Sequence, residues 1–411
     1  MVGDFGGGPD AEPLYRQLAD VGGDPPRWNY HKYTLDRQGC VAASFPGEVS
    51  PQDERLIAAI EALLQDLTGR MRPETTGVSS PGRAFMSIEL QTTFESGLKP
   101  LRLGVSACLL GARVRFDGGH KRNRFIIEEL AAHFEFVPFC PEVAIGMGTP
   151  RQSIRLVGDV QAPRAVGSRD DGLDVTEPLR EYSAVTAGRL GGLCGFVFKK
   201  DSPSCGMERV KVYSDTGMPQ RDGVGLFARA VQEANPLLPV EEEGRLNDPG
   251  LRENFVLRVL VYARWQALRQ QRLSKKGMID FHTRHKLLLL AHSPSAYREL
   301  GGMLARLDNT PLDALAERYI ERVMQVLKTQ ASRKRHVNVL QHLLGYLRKQ
   351  VDDVNRADLV DVIDDYRRGL VPLVVPITLL QHHFRRNPNP YISRQVYLNP
   401  HPRELMLRNV L

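Results

Sequence analysis

At 411 residues the chain exceeds what one hydrophobic core ordinarily organises, so two or three domains are expected. Its 42% hydrophobic and 25% charged residues are the proportions of a soluble globular protein, and no apolar run reaches the roughly 18 residues needed to span a bilayer. The opening MVGDFGGGPDAEPLYRQ lacks the basic-then-apolar order of a secretory signal, so a cytoplasmic protein is expected; in that reducing compartment five cysteines argue for thiols, metal ligands or nucleophiles rather than disulfides. The net charge of +7 is unevenly spread: residues 275–411 hold 22 Lys and Arg against 13 Asp and Glu, leaving 33 against 35 for residues 1–274. A basic surface confined to the last third suits a polyanionic partner, although a solvated helical surface accounts for it equally well.

In chain order, residues 1–98 read as a poorly structured extension with one helix. GDFGGGPD, VGGDPPR and RPETTGVSSPGR are rich in glycine and proline, and only SPQDERLIAAIEALLQDLTGRM carries a helical apolar period, with Ser50 and Asp53 at its start. Cys40 lies here and is read as incidental, while Met86 heads the lead-in MSIELQTTF and is an alternative start. From Leu101 strands and helices alternate: LRLGVSAC, FEFVPFC, SIRLVG, CGFVFK and ERVKVY as strands, KRNRFIIEELAAHF, EPLREYSAVTAGRL and GVGLFARAVQEAN as helices. This order predicts an α/β domain over 99–249, with a Rossmann-like, largely parallel sheet covered on both faces and its strand-end loops gathered at one edge. The helix NFVLRVLVYARWQALRQQ should link it, across 250–274, to an all-α helical bundle over 275–411. The tail NPNPYISRQVYLNPHPRELMLRNV has too much proline for helix and should wrap over the bundle in extended form.

Three cysteines follow strand ends: Cys108 in VSACLLG, Cys140 in CPEV and Cys205 in SPSCG. In a parallel sheet those ends lie at one edge, so the thiols can converge. A buried apolar role fits poorly beside Gly, Pro and Ser. A structural zinc takes four ligands, often in paired short spacings, and no Cys-x-x-Cys occurs; a nucleophile would use one thiol and leave two unexplained. Three thiolates fit an iron–sulfur cluster with one iron open to substrate. Cys194, at the far end of its strand, is expected to be a small buried side chain. Glu142 and Ser202 sit beside proposed ligands, and a carboxylate with a hydroxyl can move a proton; loop capping is the competing role.

VSACLLG, RFDGGHKRN, CPEVAIGMGTPR and GFVFKKDSPSCG, in this order, resemble the motif set of the thiouracil desulfidase (TudS-type) family over roughly residues 101–245. RKRHVNVLQHLLGYLRK and NPNPYISRQVYLNPHPRELML resemble the YbgA-type domain, so that the resemblance covers about three quarters of the chain and leaves out the first 98 residues. It implies a 4Fe-4S cluster on Cys108, Cys140 and Cys205, Glu142 and Ser202 as the acid–base or activating pair, and an activity similar to that of bacterial desulfidases acting on 4-thiouridine in tRNA. On that reading the thiocarbonyl sulfur binds the open iron, water steered by Glu142 attacks the carbon, Ser202 relays a proton, and sulfide leaves without net electron transfer.

A base in folded RNA must be extruded, at a cost of about a few kcal/mol, so binding energy has to come from elsewhere. Candidate tRNA phosphate contacts are Lys275 and Lys276, then Arg333, Lys334 and Arg335, then His382, Arg385 and Arg386. His120, Lys121 and Arg122, in DGGHKR, are candidates for a phosphate or substrate cradle, because glycines free backbone amides ahead of an expected helix start. Eight of the eleven histidines follow residue 275 but have no metal-ligand spacing, and GVGLFA is too short for a dinucleotide fingerprint. Two other functions stay open: a desulfidase for free thiouracil or thionucleosides, and a non-catalytic RNA-binding protein with a structural metal.

Overall fold

The computed structural model describes residues 101–170, 172–214 and 216–409, with 32–35, 41–45, 49, 53, 55, 56, 58 and 59 before them. The chain divides into two units, Met1–Ile88 and Glu89–Leu411. In the first, β1 (Lys32–Leu35) and β2 (Val41–Phe45) pair antiparallel, and residues 55, 56, 58 and 59 are helical, inside the stretch where a helix is expected. Cys40 and Met86 lie outside the described residues.

The second unit contains β3 (Leu101–Ser106), β4 (Phe134–Phe139), β5 (Ile154–Val157), β6 (Arg164–Gly167), β7 (Gly195–Phe198), β8 (Val210–Tyr213), β9 (Pro219–Gly223) and β10 (Val240–Glu242). β10, β7, β3 and β4, in that order, make a wholly parallel sheet. Both its faces are covered. Leu103, Val105 and Val197 pack with Phe255, Val259 and Leu260 of the Pro249–Gln270 helix, while Phe196 and Phe198 meet Phe227 and Val231 of the Leu226–Ala234 helix on the opposite side. Burial on two faces is why the inner strand β7, GFVF, is an unbroken apolar run, while β3 and β4 admit Arg102 and Glu135 at their exposed starts.

The expectation of one sheet for all five strands needs correction. SIRLVG and ERVKVY leave the parallel sheet and form a second one, β6-β5-β8-β9, in which only the β5/β8 pair is parallel. The helix expected over KRNRFIIEELAAHF is a single π-helical turn, Phe125–Glu129, followed by the 3-10 turn Leu130–Ala132.

The Pro249–Gln270 helix starts with Asp248 as its cap, accepting the Leu251 amide at 2.8 Å, and Pro249 in the first turn. Its middle is apolar nearly all round, the mark of a buried helix. Phe255, Val256, Val259 and Leu260 belong to the core under the parallel sheet, whereas Leu257, Val261 and Trp265 belong to that of the helical bundle. The sheet and helix are close enough that a Cβ on Gly195 would stand 2.6 Å from Val259 Cγ2. Six further helices follow: Lys275–His292, Pro294–Leu304, Leu312–Leu327, Arg333–Leu347, Asp353–Arg368 and Val374–Arg386. The tail departs from the extended path expected of it. It forms short turns, Pro390–Ser393, Val396–Leu398 and Arg403–Leu405, with Ile392 and Tyr397 fully buried, and Arg408 returns to Glu253 of the long helix at 2.7 Å. Among the described residues no helix is long and apolar enough to cross a membrane.

Candidate active site

The carboxyl ends of β3, β4 and β7 lie level: Ser106 is paired with Phe139, and Val105 with Val197. The chain order reverses on either side of β3, which places a crevice at that edge. A 3-10 turn after β3, Ala107–Leu110, carries Cys108. Cys140 immediately follows β4 and caps the turn Pro141–Ala144, whose first residues include Glu142. Cys205 stands in the loop between β7 and β8. That loop is folded by Ser202, whose Oγ accepts the Cys205 amide at 3.1 Å, and by docking on the Leu226–Ala234 helix. The carbonyls of Pro203 and Ser204 accept first-turn amides of that helix, at 3.1 Å from Leu226 and 2.9 Å from Phe227, groups that a helix leaves without internal partners.

Cys108, Cys140, Cys205, Glu142 and Ser202 therefore line one cavity of about 400 Å³. Lys121, Arg115, Arg151, Lys199 and Lys200 line it too, with Asp201; Arg115 pairs with Asp117, Arg151 with Glu142, Lys199 with Glu243 and Lys200 with Asp201. Burial pushes the Cys108 thiol up to about 11, opposed by Lys199, and raises Cys140 and Cys205 as well. The thiols also feel one another's charge, Cys108 and Cys140 both acting on Cys205. Ligation would need a cation strong enough to displace their protons, as a bound metal is.

Glu142 is held at both oxygens. Arg151 donates to Oε2 from Nη2 at 2.5 Å and from Nε at 3.2 Å, and Ser204 Oγ donates to Oε1 at 2.6 Å. Arg151 is itself fixed by the carbonyls of Val114 and Gly148, at 3.0 and 3.1 Å. Ser202 and Ser204 are joined hydroxyl to hydroxyl at 3.1 Å. With Glu142 committed to Arg151 and Ser204, the donors left for a metal centre are three sulfurs, a soft set of the kind iron–sulfur clusters take. Among the described residues no three His, Cys, Asp or Glu side chains close around a single metal ion; the three thiols line the same cavity. The residues present thus fit a cluster.

Arg151 and Ser204 were not foreseen from the sequence. The available signals were a second serine in SPSCG and an arginine nine residues after Glu142. Cys194 is buried elsewhere, its thiol pushed up to about 12 by burial and donating to the Arg102 carbonyl at 3.0 Å. Of the cradle residues, Lys121 lines the cavity, whereas His120 and Arg122 are exposed outside its lining. The anion argument for the three lapses, because the helix they were to precede is one turn long.

The basic clusters divide. Arg333 donates to the Tyr366 carbonyl at 2.9 Å and Arg335 to the His292 carbonyl at 2.6 Å, so both brace helix ends. Lys275 pairs with Asp308 at 2.6 Å in the exposed surface. Lys276, Lys334, His382, Arg385 and Arg386 are exposed, the last three on the final turns of the Val374–Arg386 helix.

A family model described as 2-thiouracil desulfurase matches residues 103–243, and one described as a protein of unknown function, DUF1722, matches residues 286–402. The chain is 34% identical over 158 residues to the uncharacterized protein YbgA of Escherichia coli strain K12, covering 38% of this chain and 94% of that protein. It is 31% identical over 151 residues to the uncharacterized protein YbbK of Bacillus subtilis strain 168, covering 35% of this chain and 97% of that one. A third relative, the hydroperoxy fatty acid reductase Gpx2 of a Synechocystis species, is 42% identical over 57 residues, 14% of this chain and 36% of its own. Among solved structures, a 4Fe-4S-dependent thiouracil desulfidase TudS aligns at 29% identity over 37% of this chain and 97% of its own, with a TM-score of 0.30. The chain accordingly belongs to the 2-thiouracil desulfurase family in its α/β part and to the YbgA-type family in its helical part, one TudS-type domain fused to one YbgA-type domain.

Proposed function

We propose that the protein is an iron–sulfur-dependent, non-redox desulfidase that converts 4-thiouridine in tRNA to uridine and releases sulfide. The observation that carries this reading is the convergence of Cys108, Cys140, Cys205, Glu142 and Ser202 on one cavity at the carboxyl edge of the parallel sheet. Cys108, Cys140 and Cys205 would hold the cluster, which when bound supplies a soft Lewis-acid iron for a thiocarbonyl sulfur.

The chain's own groups handle protons. A carboxylate paired with Arg151 can only accept, so the Ser204 hydroxyl hydrogen points to Glu142 Oε1, and Ser204 Oγ then accepts from the Ser202 hydroxyl. Ser202, Ser204 and Glu142 form a line along which a proton taken from an attacking water reaches the carboxylate. Ser202 keeps its orientation through the Cys205 amide. Lys121 on the cavity wall favours anionic charge as sulfide departs.

The deciding experiment incubates anaerobically reconstituted protein with tRNA containing 4-thiouridine and follows the thionucleoside absorbance together with released sulfide. Stoichiometric conversion to uridine is expected. No loss of 4-thiouridine from tRNA by protein with a full iron content would overturn the reading; conversion of the free nucleoside alone would replace it with the small-molecule alternative.

A further inference from the structure

The helical part contains a cavity of about 620 Å³, well away in sequence from the cysteine loops, between the end of the Pro249–Gln270 helix and the first half of the Lys275–His292 helix. Arg264, Arg272, Lys276, Arg284 and Arg394 line it, against one carboxylate, Asp280, which is already paired with Arg394. The Lys275–His292 helix begins at its rim: Ser274 caps the Gly277 amide at 3.1 Å, leaving the amides before it without helical acceptors. So strong an excess of one charge in a concave site favours an anion.

A second feature narrows the ligand. His285, which also lines the cavity, is 1% exposed and its ring stacks on Phe281 with centroids 4.0 Å apart. Its Nδ1 lies 2.7 Å from the Phe281 carbonyl, so that nitrogen carries the hydrogen and Nε2 is a bare acceptor. Nε2 is buried with no hydrogen-bond partner among the described residues, an arrangement that is costly when left unmet. Burial, then the neighbouring Arg264, hold the imidazole neutral by lowering it to about 3. A site of cations around one neutral acceptor suits a ligand that brings both an anionic oxygen and a hydroxyl donor.

We infer that this cleft binds a ribose–phosphate stretch of RNA, with phosphate oxygens on Arg272 and Lys276 and a ribose 2′-hydroxyl offered to His285 Nε2. The inference rests on the reading that RNA is the substrate carrier, and relocates the main contact from the exposed clusters to this cleft. Arg272 and Lys276, both exposed, are the positions to change.

The test titrates full-length protein against fluorescently labelled tRNA by anisotropy at several salt concentrations. The double variant Arg272→Glu/Lys276→Glu should weaken binding tenfold or more and reduce the salt slope by about 2, since each lost contact removes roughly 0.9. Unchanged affinity and slope overturn the proposal, and so does competition by inorganic phosphate at low millimolar concentration, which would mark a small-anion site. His285→Phe preserves the stack and removes the acceptor; it should erase the preference for an RNA oligonucleotide over DNA of the same sequence, and a retained preference removes the 2′-hydroxyl contact. Wild-type protein that binds tRNA through the cleft yet leaves its 4-thiouridine intact defeats the desulfidase reading and not the cleft; desulfuration unaffected by the double variant defeats the cleft alone.

Discussion

Gly225 is a lever on the Cys205 loop. It caps the Leu226–Ala234 helix, and its amide donates to the Gly206 carbonyl at 2.8 Å. A Cβ added there would stand 2.6 Å from both the carbonyl carbon and oxygen of Ser204 and 2.9 Å from the Cys205 nitrogen. Ordinary contact begins near 3.4 Å, so Gly225→Ala must drive the loop and helix apart by roughly 0.8 Å, and the obstacle is backbone rather than a flexible side chain. Overpacking of this kind costs about 1–3 kcal/mol, which a domain of this size survives. The site should not survive it, because the shift falls on Ser204 and Cys205 together. After anaerobic reconstitution the variant should retain wild-type helical circular dichroism while holding less than half the iron and desulfurating at least tenfold more slowly. Gly301→Ala, on a helix with nothing within 4 Å of the added carbon, is the matched control and should lose nothing. Full iron and full activity in Gly225→Ala would refute the argument that this loop's position sets the site.

Ser204→Ala interrupts the line from Ser202 to Glu142 and also removes the 3.9 Å contact of Ser204 Oγ with Cys205 Sγ; kcat should fall on the order of 10²-fold with little change in KM, Ser204→Thr should restore part of it, and an unchanged iron count excludes loss of the centre. Arg408→Ala strands Glu253, which burial would raise but which Arg408 and His401 instead hold down at about 2; the expected loss is about 3 kcal/mol by denaturant midpoint, largely recovered when Glu253→Gln is added. Acid should unfold the helical part early. Burial lowers His292 to about 4 and His336 to about 3, so their contribution is complete above the unfolded value near 6.5 and fades as pH falls toward 4, by about 3 kcal/mol for His292. Melting temperature should therefore begin to drop below pH 6.5 rather than below 4.5, and a flat profile down to pH 5 would contradict this.

The parts of the site that the sequence exposed were those governed by local pattern. A parallel sheet puts all strand exits on one edge, so cysteines just beyond LRLGVS, FEFVPF and the GFVF strand were bound to meet once those strands were recognised. Arg151 and Ser204 were hidden because their work depends on how loops fold onto Glu142, from nine positions away for Arg151 and 62 for Ser204, which no local period records. The same limit explains the second sheet: SIRLVG and ERVKVY alternate like any half-buried strand, and the choice of pairing partner is made by tertiary packing. Arg333 and Arg335 show a further limit. A run of basic residues looks the same whether its guanidiniums meet water or end on the carbonyls of Tyr366 and His292.

The Pro249–Gln270 helix was expected to be a connector and is instead a wall common to two rooms. Because its opposite stripes complete separate cores, tilting one half against the other would tear one of them open, so the molecule has no joint at that point. On the proposed function, a nucleic acid held by the helices would be presented to the cysteine crevice at a fixed angle and reach, as by a carpenter's square. Which nucleotide of a folded RNA arrived at the crevice would then be a matter of measured span, set by the length of one rigid rod rather than by recognition of the surrounding letters.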